Sequence, residues 1–362
     1  MKEFARENML REDKRMRTVR SFLASAVLVS AVGLVVLLTP RPGPSQALRE
    51  DSPLFRVKVD LVVLNVAVTD RRGRYISDLA PGDFRVFEDG IPQQIATFAE
   101  GNEAPRAITE LAIRPGEPAP LPGTSGDPDA RIEGPASSVD DTFVGTNVFV
   151  LFDTSNFMYR TFVYAEDAIA DFIRGLDTAD SVAVYGFSRN LTRHTGLTPE
   201  RLEAIKGLRL SVAGDETALY NCLLLTLRDA ARVPGRKVVI VFSNGPDNAS
   251  TVAPDDVGAI AEDEGIPIYV ISTNELNKDP ISSNVFRRLT ARTGGKAYFA
   301  KTWQRQSEAF TSIKEELASS YTLTYYPQPN PNGGWRSITV DLVGDALRRH
   351  RIRTRSGYRP KL

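Results

Sequence analysis

Three short stretches of this chain gather the side chains best suited to chemistry. They read Asp153-Thr154-Ser155-Asn156-Phe157, Gly214-Asp215-Glu216-Thr217-Ala218-Leu219 and Ser243-Asn244-Gly245-Pro246-Asp247-Asn248-Ala249-Ser250. Carboxylates, hydroxyls and amides dominate all three, so binding through oxygen atoms and hydrogen bonds is the chemistry on offer. Covalent catalysis finds less support. Ser243 lacks the Gly-Xaa-Ser-Xaa-Gly frame of a nucleophile elbow, and neither His194 nor His350 is placed to mark it as the base. No glycine-rich phosphate loop follows a strand. Cys222 is the one cysteine, set among leucines in a helical pattern, and reads as a small core residue. With one Cys and two His, a Cys-based zinc site is excluded and a His-rich metal site disfavoured.

The elements that must carry these loops alternate strand with helix from Thr146 onward. NVFVLFD is a continuous apolar run of the kind buried on both faces of a parallel sheet. It leads to a helix with Phe162, Ala165, Ile169, Phe172 and Ile173 on one stripe, ending at Gly175. SVAVYGFS, KVVIVFS, PIYVIST and KAYFA read as further strands. Between and after them TALYNCLLLTLRDAARV, a segment from Pro254 to Gly265, one capped by Ser282 or Ser283, and a last one through Leu317 read as helices. The stretch RNLTRHTG around His194 reads as a turn. This order predicts an α/β fold with a doubly wound, mostly parallel, Rossmann-like sheet. Ligands of such sheets bind at the carboxyl ends of the strands, where the three oxygen-rich loops fall.

The flanks are β-like. FRVKVDLVVLNVAVTD and two short strands around Asp89-Gly90 form a unit over 55–100, the Asp-Gly pair being a hairpin signal because both central positions of a type I′ turn need positive φ. Residues 101–145 are rich in Pro, Gly, Ser and acids and read as a linker. After the α/β domain at 146–318, SYTLTYYP, WRSITVDLV and HRIRTRSGY supply three more strands over 319–360. Each flank is too small to bury a sheet face alone, so the two are expected to pair as one small all-β, sandwich-like domain with the α/β domain inserted between. Tyr321, Tyr325 and Tyr326 then read as packing on a β face, and Arg348-Arg349-His350-Arg351 as an exposed strand face.

The N-terminus points to export. Residues 1–20 are basic, Ser21–Thr39 carry no charge, and Pro-rich sequence with Ser45-Gln46-Ala47 follows. That pattern suits a signal peptide or an uncleaved signal anchor over 1–47, with residues 21–39 the membrane segment and the body outside. The 45 basic and 45 acidic residues cancel, which argues against nucleic acid as a partner.

Asp-Thr-Ser directly after the first strand, Thr-Ala-Leu-Tyr opening a helix, and a third-strand turn ending in Asp-Asn-Ala-Ser together resemble a von Willebrand factor A domain. The flanks VAVTDRRGRYISDLAPGDFRVFEDGIPQQIATF, SYTLTYYP and RTRSGY extend the likeness over residues 55–360, to the VWFA-related proteins of acidobacteria and similar soil bacteria. The resemblance implies a site for Mg²⁺ on these loops. Carried over by position, Asp153, Ser155 and Thr217 match its ligands, Asn244 stands where an Asp is expected, and Phe157 replaces a Ser. Mg²⁺ takes oxygen ligands in tight octahedral geometry, so the loss of one hydroxyl and one carboxylate describes a degenerate adhesion site. Asn156, Asp215, Glu216 and Asp247 are the neighbours that could supply oxygens instead. No cofactor is expected, Mg²⁺ or another divalent cation being the alternative. The function that follows is a non-enzymatic, protein-binding or scaffolding module of the bacterial cell envelope, periplasmic, membrane-anchored or extracellular. The alternative is a hydrolase or other enzyme using the same strand-end crevice.

Overall fold

A computed structural model of the chain describes residues 61–111, 145–159, 161–177, 180–274 and 278–361. All belong to one unit, Lys58–Leu362. The apolar run 21–39, the start of the first expected strand and most of the Pro-rich segment lie outside the described residues.

The α/β part is built on six strands: β6 (Thr146–Asp153), β7 (Ser181–Phe187), β8 (Leu191–Thr198), β9 (Arg236–Ser243), β10 (Ile268–Ser272) and β11 (Ala297–Phe299). They lie in the order β11-β10-β9-β6-β7-β8, and all neighbours are parallel except β7 and β8. Counted within this sheet the order is 3-2-1-4-5-6, so the chain reverses direction across the sheet beside β6. β6, β7, β9 and β10 are sandwiched by helices on both faces, which explains their unbroken apolar runs.

Six helices cover the sheet. α1 (Phe162–Arg174), α2 (Arg201–Leu208) and α6 (Trp303–Ser319) pack on one face, while α3 (Leu219–Ala231), α4 (Pro254–Asp263) and α5 (Pro280–Thr293) pack on the other. The predicted stripe on α1 is the buried one, with Phe172 stacked on Phe310 and Phe310 stacked on Phe242. Cys222 is buried in the opposite layer, as expected. Two elements differ from expectation. The stretch around His194 is not a turn but the antiparallel edge strand β8, and α2 follows it. The helix expected to be capped by a serine begins earlier, with Asp279 accepting from the Ser282 amide.

The flanks pair strand by strand. β1 (Val62–Thr69), β4 (Ile95–Glu100) and β5 (Arg106–Ala107) join β12 (Tyr321–Tyr325) and β14 (Arg351–Arg353) in a sheet of order β14-β1-β12-β4-β5. β2 (Phe84–Glu88) and β3 (Ile91–Gln93) join β13 (Arg336–Leu342) and β15 (Gly357–Tyr358) in the order β15-β13-β2-β3. Side chains from both sheets, among them Leu64, Val66, Phe84, Phe98, Tyr321, Leu323 and Val340, form one core. The Asp89-Gly90 turn has the expected positive φ at both positions, 49° and 78°. The last expected strand divides into β14 and β15, which lie in different sheets. Buried Arg355 crosses between them and donates to the Glu262 carbonyl at 2.8 Å. Tyr321 and Tyr325 are buried as expected, but Tyr326 is half exposed.

Candidate functional site

The strand order reverses between β6 and β9, and the three oxygen-rich loops converge at the carboxyl ends of these strands, where sheets of this order form their binding crevice. Asp153 is the last residue of β6 and is fully buried. Its carboxylate accepts the Ser243 hydroxyl of β9 at 2.6 Å and the Ser155 amide at 2.9 Å. Burial raises the Asp153 pKa, against the lowering effect of these hydrogen bonds. Thr154 ties the end of β6 to β7 through two bonds to the Phe187 carbonyl. The loops are laced to one another as well. The Gly214 amide donates to Thr154 at 2.8 Å, the Asn156 amide to Asp215 at 3.1 Å, and the Asn244 side-chain amide to the Phe157 carbonyl at 2.8 Å. Thr217 is held by Asn248, whose side-chain oxygen accepts the Thr217 amide and whose own amide donates back. Gly245 has φ of 115° and lies so close to Ser282 that a Cβ would approach that side chain to 2.9 Å, so the turn after Asn244 requires glycine.

What remains unpaired is informative. Of the eight buried side-chain polar atoms without a hydrogen-bond partner among the described residues, three lie here: Ser155 Oγ, Thr217 Oγ1 and Asn244 Oδ1. A buried, unpaired oxygen costs on the order of 1–3 kcal/mol. Native proteins keep few of them, so three on these adjoining loops set the place apart. Together with the Asp153 carboxylate they form an all-oxygen donor set drawn from all three loops, which fits a hard divalent cation. One carboxylate among four donors gives the set less charge than such ions ordinarily meet.

The neighbours considered as substitutes are otherwise occupied or outward-facing. Asp247 accepts the Tyr220, Ala249 and Ser250 amides and so caps the start of α3. Glu216 pairs with Arg189 at the surface, at 2.9 Å. Asn156 and Asp215 are exposed. Phe157, which replaces the expected Ser, is 44% exposed. Sequence reasoning missed Ser243 as the partner of Asp153 and Asp247-Asn248 as the brace of the middle loop. An Asp three residues before a Ser is a local turn signal that could have revealed the brace.

Groups suited to covalent chemistry are poorly set. Burial raises the Cys222 thiol to about 12. His194 approaches Ser211 at 3.3 Å, and burial lowers its pKa, but among the described residues no carboxylate orients its ring. No cluster of three His, Cys, Asp or Glu suited to a metal occurs among the described residues.

Fold and crevice define a von Willebrand A-like α/β domain with flanking antiparallel sheets. In agreement, residues 147–312 match the family model of the von Willebrand factor type A domain. Solved structures similar in fold include the protein BatB of Bacteroides thetaiotaomicron, 16% identical over 48% of this chain and 100% of that one, with a TM-score of 0.40. The von Willebrand domain of the type V pili tip protein Mfa5 of Porphyromonas gingivalis is 12% identical over 48% of this chain and 95% of its own, at 0.41. A von Willebrand factor type A protein of Catenulispora acidiphila is 12% identical, covers 73% of this chain and 74% of that one, and scores 0.42. No curated protein matches the chain.

Proposed function

We propose that this chain is an exported, non-enzymatic binding or scaffolding module of the cell envelope, whose strand-end crevice engages a protein partner through a weakly held divalent cation. The observation that carries the reading is the set of three unpaired buried oxygens, on Ser155, Thr217 and Asn244, borne by the same strand-end loops as the buried Asp153. These four residues would hold the ion. A bound cation supplies a positive centre with open coordination positions. With a single protein carboxylate to balance it, the centre keeps net positive charge, and an acidic side chain of a partner is the group that completes it. Von Willebrand A domains are typically adhesion or scaffold modules, which supports the same reading. Export rests on the charge-free run 21–39 with its basic lead. Among the described residues no helix is long and apolar enough to cross a membrane.

Titration calorimetry and thermal melting of the full chain with Mn²⁺ and Mg²⁺ test the proposal. The parent should bind and melt at higher temperature with the ion. Asn244→Asp, by restoring a second carboxylate, should tighten binding about tenfold or more. If the parent shows neither heat nor a melting shift while Phe157→Ser/Asn244→Asp shows both, the crevice works without a cation and this part of the proposal is wrong.

A further inference from the structure

Two basic stretches far apart in the chain meet at one corner of the five-stranded sheet. The turn after β1 reads Asp70-Arg71-Arg72-Gly73-Arg74, and β14 is entered through Arg348-Arg349-His350-Arg351. The antiparallel register pairs Thr69 with Arg351 and Val68 with Ile352. The turn 70–74 leaves the end of β1 where β14 begins, and Arg348 and Arg349 lie in the short helical turn Leu347–Arg349 that leads into β14, so the two stretches adjoin the same end of this strand pair. Asp70 takes Arg74 at 2.8 Å and Asp345 takes Arg348 at 3.2 Å. Arg71, Arg72, Arg349 and Arg351 are exposed and have no acidic partner among the described residues. Elsewhere arginines are commonly paired, as in Arg193 with Asp229, Arg292 with Glu262 and Arg336 with Glu88. In a chain of zero net charge this is a concentrated, self-repelling positive corner that the fold does not neutralise.

We propose that this corner adsorbs to an anionic lipid surface, its guanidinium groups meeting headgroup phosphates. All six basic side chains are arginine and none lysine, the choice suited to bidentate contact with phosphate. They sit on the turn after β1, on the short helical turn Leu347–Arg349 (not the strand face expected there) and at the start of the edge strand β14. That presents a face to an array of headgroups, whereas a polymer needs a track to follow. The apolar neighbours are already used, Ile76, Leu347 and Ile352 against the sandwich core and the Tyr75 hydroxyl on Glu316. Adsorption is then electrostatic, without insertion. The charge-free run 21–39 also makes a bilayer the polyanion this body is expected to meet first. Each arginine held near an anionic surface strengthens association roughly fivefold. The corner shares no residue with the crevice, so the two readings stand or fall separately.

Hydrogen exchange of the full chain on lipid nanodiscs tests it, comparing phosphatidylcholine discs with discs containing phosphatidylglycerol. Amides of 69–75 and 348–353 should exchange severalfold more slowly on the anionic discs alone. The effect should vanish at high salt and in the variant Arg71→Gln/Arg72→Gln/Arg349→Gln/Arg351→Gln, while core amides and the melting temperature stay unchanged. Equal exchange on both discs overturns the proposal, as does slowing that survives the four substitutions. Slowing by soluble dextran sulfate but not by anionic discs overturns it too, assigning the corner to a polysaccharide.

Discussion

Asp153 is where burial and charge conflict most directly. Its carboxylate is removed from water, and the two donors that reach it, Ser243 Oγ and the Ser155 amide, leave it below the charge balance an ionised group needs. Burial accordingly raises its pKa. A carboxylate buried without a counter-charge costs the fold stability. Asp153→Asn keeps the shape and lets the Ser243 hydroxyl turn from donor to acceptor. It should therefore raise the melting temperature without added metal and abolish any rise caused by Mn²⁺, as read by differential scanning fluorimetry. A variant that melts lower and still responds to Mn²⁺ contradicts this account. At this scale the sequence marked Asp153, Ser155, Thr217 and Asn244 as candidates, because each loop carries a local pattern of residue types. It could not tell that Ser243 faces Asp153 across 90 residues, or that Asp247 is already committed to the α3 amides.

Among the elements, the β2–β3 hairpin is held from outside its own turn. Asp89 accepts hydrogen bonds from the side chains of Asn332 and Asn330 and from both the amide and hydroxyl of Ser337. These bonds, the one from Asn332 foremost, lower its pKa from 3.8 to about 2. A carboxylate with a folded pKa below its unfolded value stabilises the fold above the unfolded pKa and loses that contribution as pH falls through the folded one. The hairpin's contacts to the 330–337 segment should thus weaken between pH of about 4 and about 2, with the Asp89 carboxyl carbon titrating near the lower value by NMR. A titration near 3.8 would show that the four bonds do not form. The Asp-Gly turn was legible because positive φ at two successive positions is a local demand. β8 and α2 were not, for equally local reasons. Leu191–Thr198 is an edge strand rich in Thr with Arg193, His194 and Gly196, and Arg201–Leu208 is a helix of eight residues with little amphipathic contrast. Both take their structure from the sheet edge they complete.

For the whole molecule, the join between the sandwich and the α/β domain is made of buried polar groups. Glu316, near the end of α6, accepts the Tyr75 hydroxyl at 2.7 Å and the Tyr269 hydroxyl at 2.6 Å and pairs with Arg353 at 2.5 Å. Arg236, at the start of β9, donates to the Gly101 and Leu317 carbonyls and to Ser320. One residue, Ser320, separates α6 from β12, which lies in the middle of the five-stranded sheet. The two parts should therefore unfold together, in one calorimetric transition. Glu316→Ala leaves the partly exposed Arg353 and two tyrosine hydroxyls, of which only that of Tyr269 is fully buried, without their acceptor, at a cost of about 1–3 kcal/mol. Two separate transitions in the parent, or an unchanged melting temperature in the variant, would contradict this coupling.

The sequence by itself determined what depends on neighbours along the chain. That covers the alternation of buried strands and helices, the stripe on α1, the Asp-Gly turn, and the loops at the strand ends, because periodicity and turn chemistry are local. Pairing of the two flanks could be expected on the ground that neither can bury a sheet face alone. Tertiary structure decided the rest: the register that joins β1 to β12, the division of the last strand between two sheets, and the pairing of Thr69 with Arg351 that brings two arginine-rich stretches to one corner. It also decided the fate of the oxygen-rich loops, three of whose side-chain oxygens end buried and unpaired. Each of these follows from contacts between residues distant in sequence, which residue type constrains but only packing selects.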